Sequence, residues 1–246
     1  MSKDCKMFTY RKLSSNEVAL TVCFTALYVV LGFLSISPII GLPGKTITAA
    51  AIMAPIMGII LGMYIGTLST ILGGVIGLFV GTFSPLSFVS GVFAALCAGM
   101  ICMGKRRFCA LLYLSLLFVF GFYPFIGAVW LYPPLMWFEI VGFLILASPL
   151  QSLASKNLNS NNNSKFPFAF FVTSLTSTLA GQIAGSIAFT LLIADANTLK
   201  VTWQAIVFLY PVERIIIALI ASLIGVSLQK TLKSANMLPN VVKNRK

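Results

Sequence analysis

The stretch Gly58-Ile-Ile-Leu-Gly-Met-Tyr-Ile-Gly66 runs on to Gly73-Gly-Val-Ile-Gly-Leu-Phe-Val-Gly81, with glycines four residues apart in almost unbroken apolar sequence. In a soluble helix each such glycine is destabilising. In a bilayer the spacing favours association, because apolar side chains gain little by hiding from one another there. Contact comes instead from close backbone approach, which small residues at i and i+4 permit. Gly58, Gly62 and Gly66 follow that rule, as do Gly73, Gly77 and Gly81, with Ser69, Thr70 and Gly74 widening the stripe. These positions serve either packing within the chain or a face for a partner.

Composition agrees with a lipid solvent. The 246 residues are 59% hydrophobic and only 9% charged, with mean hydropathy +0.99, whereas soluble domains carry about a quarter charged residues. Long apolar runs with almost no charge indicate an all-α, multi-pass membrane bundle in a cell membrane. The net charge of +12 does not indicate nucleic acid, because the basic residues sit in the gaps between apolar runs, as topology determinants do. Cys5, Cys23, Cys97, Cys102 and Cys109 form no CxxC pair and read as small hydrophobes. Histidine is absent, which excludes His-based metal sites and Ser-His or Cys-His catalysis.

Eight apolar segments are expected, at 18–40, 46–60, 62–82, 86–103, 108–130, 133–153, 167–193 and 204–229. A total of six to eight spans allows for the short second segment with its Pro55. One straight helix over 46–82 would far exceed a bilayer's thickness at about 1.5 Å per residue, so a reversal is expected near Leu61-Gly62. The chain divides into a basic tail at 1–17, a bundle at 18–232 with an Asn-rich linker at 154–166, and a second basic tail at 233–246. The run after the first tail is too long for a signal-peptide core and reads as a retained span.

With eight spans, both termini share a side. That side collects Lys3, Lys6, Arg11, Lys12, Lys105, Arg106, Arg107, Lys156, Lys165, Lys230, Lys233, Lys243, Arg245 and Lys246, fourteen of the seventeen basic residues. The other side has Lys45 and Lys200, and Arg214 falls inside the last span. The bias places both termini in the cytoplasm, together with Asn157-Leu-Asn-Ser-Asn-Asn-Asn-Ser164.

A long first helix is followed by the loop Ser37-Pro-Ile-Ile-Gly-Leu-Pro-Gly-Lys45, a short small-residue helix from Thr48 through Pro55, and the G-x-x-x-G entry Gly58–Gly66. This order resembles the substrate-binding S component of energy-coupling factor (ECF) transporters. Tyr210-Pro-Val-Glu-Arg214 is similar to the Pro-x-Glu that can open the final helix of that family. The resemblance covers mainly 18–103 and, more weakly, 204–232. It implies capture of a small, vitamin-like or heterocyclic substrate from outside, with a transmembrane coupling subunit and two cytoplasmic ATPases as partners. Two departures stand out. The family usually has six helices, which leaves 108–153 as extra material. Its first helix often presents Ala-x-x-x-Ala to the coupling subunit, where this chain has Ala19-x-x-x-Cys23.

A charge inside a span is costly and marks function by default. Three stand out: Glu139 about 9 Å deep from outside, and Glu213 and Arg214 about 14 Å deep, at about 1.5 Å per residue. Arg214 is expected to pair with Glu139 or Glu213, in a functional or a purely structural ion pair. Near this depth lie Trp130, Tyr132, Trp137, Trp203 and Tyr210, which suit an interfacial belt as well as a pocket. Gln182, between Gly181 and Gly185, either joins helices or contacts substrate. The candidate binding residues are therefore Glu139, Glu213, Arg214, Gln182, Trp137 and Tyr210, with Lys45 and its Pro/Gly loop as a lid or as ordinary loop.

No Walker A motif, acidic cluster or Gly-x-Ser-x-Gly occurs. Nothing therefore marks an enzyme, a metal or a cofactor. A transport subunit is the first expectation. A solitary proton-coupled carrier using Glu139 or Glu213 is the second, and a non-transport membrane protein the third.

Overall fold

The computed structural model describes residues 14–41, 43–159, 165–235 and 237–239. Most of both basic tails and residues 160–164 of the linker lie outside the described residues.

Helix α1 (Ser15–Leu31) begins in a capping box: Ser14 Oγ accepts from the Glu17 amide at 3.2 Å, and Glu17 Oε2 accepts from the Ser14 amide at 3.0 Å. Two otherwise orphaned donors are satisfied, so the helix starts before residue 17, where the tail was expected to end. It also stops earlier than expected. Past Gly32 the chain forms β1 (Ser35–Pro38), paired antiparallel with β2 (Thr46–Thr48). The expected first span of 18–40 is therefore corrected: 32–40 turn away from the helix into a hairpin. Its turn is rich in Pro and Gly, and Ile39 donates back to the Lys45 carbonyl at 2.9 Å.

Helix α2 (Ala50–Val80) contains the expected reversal, at Gly62, whose φ of 81° and ψ of 179° belong to a region only glycine adopts readily. A Cβ built on Gly66 would lie 2.6 Å from the Met57 carbonyl oxygen. Unbroken helix would separate those residues by about 13 Å, so the two arms, 50–61 and 63–80, fold back on each other. The glycine stripe packs the arms against their neighbours. Gly58 faces the Ala95 carbonyl of α3 (Pro85–Cys102), Gly73 faces Thr25 and Tyr28 of α1, and Gly77 faces Phe83. Gly81 ends the helix in a left-handed conformation. Ala19 and Cys23 both point outward from α1.

Beyond α3 come α4 (Arg106–Phe122), α5 (Ala128–Leu131), a 3-10 turn (Pro133–Met136), α6 (Trp137–Ala147) and α7 (Pro149–Asn159). They are followed by α8 (Phe166–Ile193), α9 (Ala196–Ile206) and α10 (Leu209–Ser234). Among the described residues there are ten α-helices, against eight expected apolar segments. The single segment 133–153 is broken, with the Pro133–Ala147 and Pro149–Leu158 stretches bent 63° apart. A short amphipathic α9 precedes the last span, burying Leu199, Thr202, Trp203 and Ile206 on one face. Among the described residues, four helices are by length and composition long and apolar enough to cross a membrane: Ala50–Val80, taken end to end across its reversal, Pro85–Cys102, Phe166–Ile193 and Leu209–Ser234. The bent pair makes five if counted as one span. The protein is a helical bundle with the spans of a membrane-embedded chain.

Helix α8 is the axis of the bundle, buried without a break from Val172 to Gly185. Ser174 Oγ is buried without a partner, but most of the other hydroxyls bond to carbonyls within the helix. Thr178, for example, donates to the Ser174 carbonyl at 2.9 Å. Gly181 sits against the Ser90 carbonyl of α3. Toward the N-terminal half of α8, Gln151 of α7 donates to Thr173 Oγ1 and accepts from Thr176 Oγ1, both at 3.1 Å.

The packing fixes two ends of the bundle. Lys105 stacks over Tyr64 with its Nζ 5.4 Å from the ring centre, and Arg106 donates to the Ala147 carbonyl, so these basic residues share an end with the Gly62 reversal. The β-hairpin, the turn at Gly81 and the α8–α9 connection share the opposite end.

Candidate functional site

At the hairpin end, α1, the β-hairpin, the start of α2, α3, α8, α9 and α10 surround an open-mouthed cavity. The space among its lining residues not filled by protein atoms, open mouth included, is about 860 Å³. Ile39, Ile40, Ile47 and Thr48 of the hairpin form one wall. The hairpin tip is held against the far wall, since a Cβ on Gly41 would lie 2.9 Å from both Phe189 and Thr202.

The walls are aromatic. Tyr28 and Phe83 line one side with ring centres 5.1 Å apart. Trp203 lines another and meets Phe120 edge-to-face at 5.8 Å. Polar groups are few and convergent: Thr178 and Gln182 from α8, Ser87 and Ser90 from α3, Thr202 from α9, and Tyr210 and Arg214 from α10. They come together because α3 and α8 run antiparallel in close contact, Gly181 and Gly185 against Ser90, while Pro211 in the first turn of α10 starts that helix at the same level.

Of the residues expected from sequence, Gln182, Tyr210 and Arg214 line the cavity. Glu139 stands behind Gln182, which donates from Nε2 to Glu139 Oε1 at 3.2 Å. Both are buried, and Glu139 Oε2 and Gln182 Oε1 have no partner. Arg214 reaches Glu213, not Glu139, with Nη2 3.8 Å from Oε1, and its Nε is also buried without a partner. Glu213 is beside the cavity rather than in its wall.

Two expected residues are placed elsewhere. Trp137 is 44% exposed and donates from its indole to the Val207 carbonyl at 3.3 Å, which is belt geometry. Lys45 is exposed in the hairpin turn. Its loop, not its side chain, contributes to the cavity. Trp203 departs in the other direction. Grouped by sequence with the belt residues, it is 1% exposed and a cavity wall, while Trp130 at 62% keeps the belt character.

Sequence reasoning did not single out Tyr28, Phe83, Phe189, Thr178 or Thr202 as site residues. The signal that could have found the last is α9's own periodicity, which puts Leu199, Thr202, Trp203 and Ile206 on its inner face.

Outside the membrane-spanning segments, Asp195 caps α9. Its Oδ2 accepts from the Thr198 amide at 2.8 Å, and the contacts with Thr198 hold its carboxyl below the usual carboxylate range. No family model matches the chain, and no curated protein or solved structure matches it either.

Proposed function

We propose that the chain is a small-molecule-binding transport protein of a cell membrane, arranged like an ECF S component. Substrate enters the cavity from the hairpin side, which faces outward, and energy comes from partner subunits that hydrolyse ATP. The chain itself carries out no chemistry. The observation that carries the reading is the cavity: aromatic and aliphatic walls and a few converging polar groups, in the half of the bundle that is poor in Lys and Arg. The outward Ala19 and Cys23 of α1 form the face offered to a coupling subunit.

A solitary proton-coupled carrier is the second reading. The Glu139–Gln182 contact favours it, since a buried carboxyl with an unpartnered oxygen behind a cavity-lining amide suits proton linkage.

Native mass spectrometry of the protein gently purified from its own host tests the first reading. A bound small molecule together with ATPase chains supports it, and a bare monomer or homodimer without ligand rejects it. Uptake into vesicles then separates ATP dependence from dependence on a proton gradient.

A further inference from the structure

We infer that the cavity selects ligands bearing a cis-amide edge, a ring N–H donor beside a carbonyl acceptor as in a lactam, cyclic urea or imide. The inference rests on the reading of the cavity as a small-molecule site and names the chemical class it takes.

An amide side chain has its donor and its acceptor on opposite sides. Glu139 Oε1 takes the Gln182 Nε2 donor at 3.2 Å, so Gln182 Oε1 is turned away and stays unpartnered at 5% residue exposure. That atom calls for a donor. Arg214 is 7% exposed, and its Nε–H is likewise unpartnered, so it calls for an acceptor. Both side chains line the same cavity. Buried polar atoms without partners are costly, and a ligand offering N–H to Gln182 and C=O to Arg214 satisfies both.

A carboxylate ligand fits less well. It has two acceptors and nothing for Gln182 Oε1, and Glu213, 3.8 Å from the Arg214 guanidinium, already offsets that charge. The walls add the second requirement, a flat body, because Trp203, Tyr28 and Phe189 offer ring surfaces. Glu139 acts as a positioning residue: it sets which end of the Gln182 amide faces the ligand.

The test uses the full chain purified in detergent, with three bicyclic probes titrated by native mass spectrometry beside a search for host molecules that co-purify. 2-Quinolinone carries the edge, N-methyl-2-quinolinone lacks the donor, and quinoline-2-carboxylate offers only acceptors. 2-Quinolinone is expected to bind about tenfold or more tightly than either control. The series is read on the unaltered chain, so no variant has to fold. Glu139→Leu is expected to narrow the ratio of 2-quinolinone to quinoline-2-carboxylate binding, and Glu139→Gln, which keeps a carbonyl acceptor, to preserve more of it.

A co-purifying host molecule with the edge also supports the inference. Binding of a control as tight as 2-quinolinone, or a host molecule without the edge, overturns the inference and leaves the cavity's role intact. If no probe and no host molecule binds, the role itself fails.

Discussion

Gly66 lies against the backbone of Met57, with room for no more than a hydrogen where a side chain would begin: its Cβ would sit 2.6 Å from the Met57 carbonyl oxygen. This contact closes the reversal at Gly62 and brings the two arms of α2 together beside α3. It also sets where the first arm starts, and that start is part of the cavity wall. Gly62→Ala is expected to destabilise the bundle by about 1–3 kcal/mol, because alanine is strained at a φ of 81° and ψ of 179°. Gly66→Ala acts differently, by forcing the arms apart. Thermal unfolding in detergent measures both. A melting temperature unchanged in Gly62→Ala would contradict the backbone conformation described.

That reversal was legible in the sequence because a length argument locates it: 46–82 is too long for one span, and Gly62 is the residue that tolerates the break. The end of the first helix was not legible. Ile39 and Ile40 continue the apolar run, yet they turn inward as cavity wall, and four residues of strand carry too weak a pattern to displace a helix reading. The buried charges were legible, and Glu213 was one of the two partners expected for Arg214, but the contact of Glu139 with Gln182 was not. Glu139 and Gln182 are 43 residues apart, and their meeting depends on the register of α6 against α8, which no local spacing encodes. Trp203 was hidden for a related reason: depth in the membrane suggests a belt, whereas the inward face of α9 decides its role.

Gln151 holds α7 to α8 through Thr173 and Thr176 and is fully buried. Interhelical hydrogen bonds of this kind in membrane bundles contribute about 0.6 kcal/mol on average and about 1.7 at most. Gln151→Leu is expected to lower stability by an amount in that range while leaving ligand binding intact, since Gln151 is not in the cavity wall. A binding loss without a stability loss would place the residue in the site after all.

Glu139 separates into two contributions. Its backbone carbonyl accepts from Tyr113 Oη at 2.8 Å, a bond independent of the side chain; among the described residues its side chain hydrogen-bonds only Gln182. Glu139→Leu therefore strands the Gln182 Nε2 donor, at an expected cost of about 1–3 kcal/mol, while Glu139→Gln retains an acceptor and stays close to the parent. Unfolding of the two variants in detergent gives the order. If Glu139→Gln changes neither transport nor folding and Glu139→Leu is equally silent, the residue is incidental.

Asp195 gives a pH prediction with a definite sign. A carboxyl held below its ordinary value in the folded chain supports the cap above the unfolded value, and that support is lost as pH falls through the folded one. The first turn of α9 should therefore stay protected at neutral pH and loosen only in acid, below the usual carboxylate range. Hydrogen exchange over 196–199 measures this. Asp195→Ala is expected to speed exchange there at neutral pH, and Asp195→Asn, which keeps a capping oxygen, much less so.

The two ends of the bundle predict its orientation. The hairpin end carries Lys45 and Lys200, both exposed. The other end carries Lys105 and Arg106 beside Tyr64 and Ala147, with Lys156 and Lys165 on the segments that lead into α8. Basic residues are retained on the cytoplasmic side, so the cavity mouth is expected to open outward. Single cysteines placed at Lys45 and Lys200, in a chain whose own cysteines are replaced by serine or alanine, are expected to react with a membrane-impermeant maleimide on intact cells. Cysteines at Lys105 and Lys156 should react only after permeabilisation. The reverse pattern would turn the cavity toward the cytoplasm and make capture from outside untenable. Labelling at both ends of intact cells would contradict the two-ended arrangement, because the Gly62 reversal and the hairpin cannot face the same water if α3, α8 and α10 cross between them.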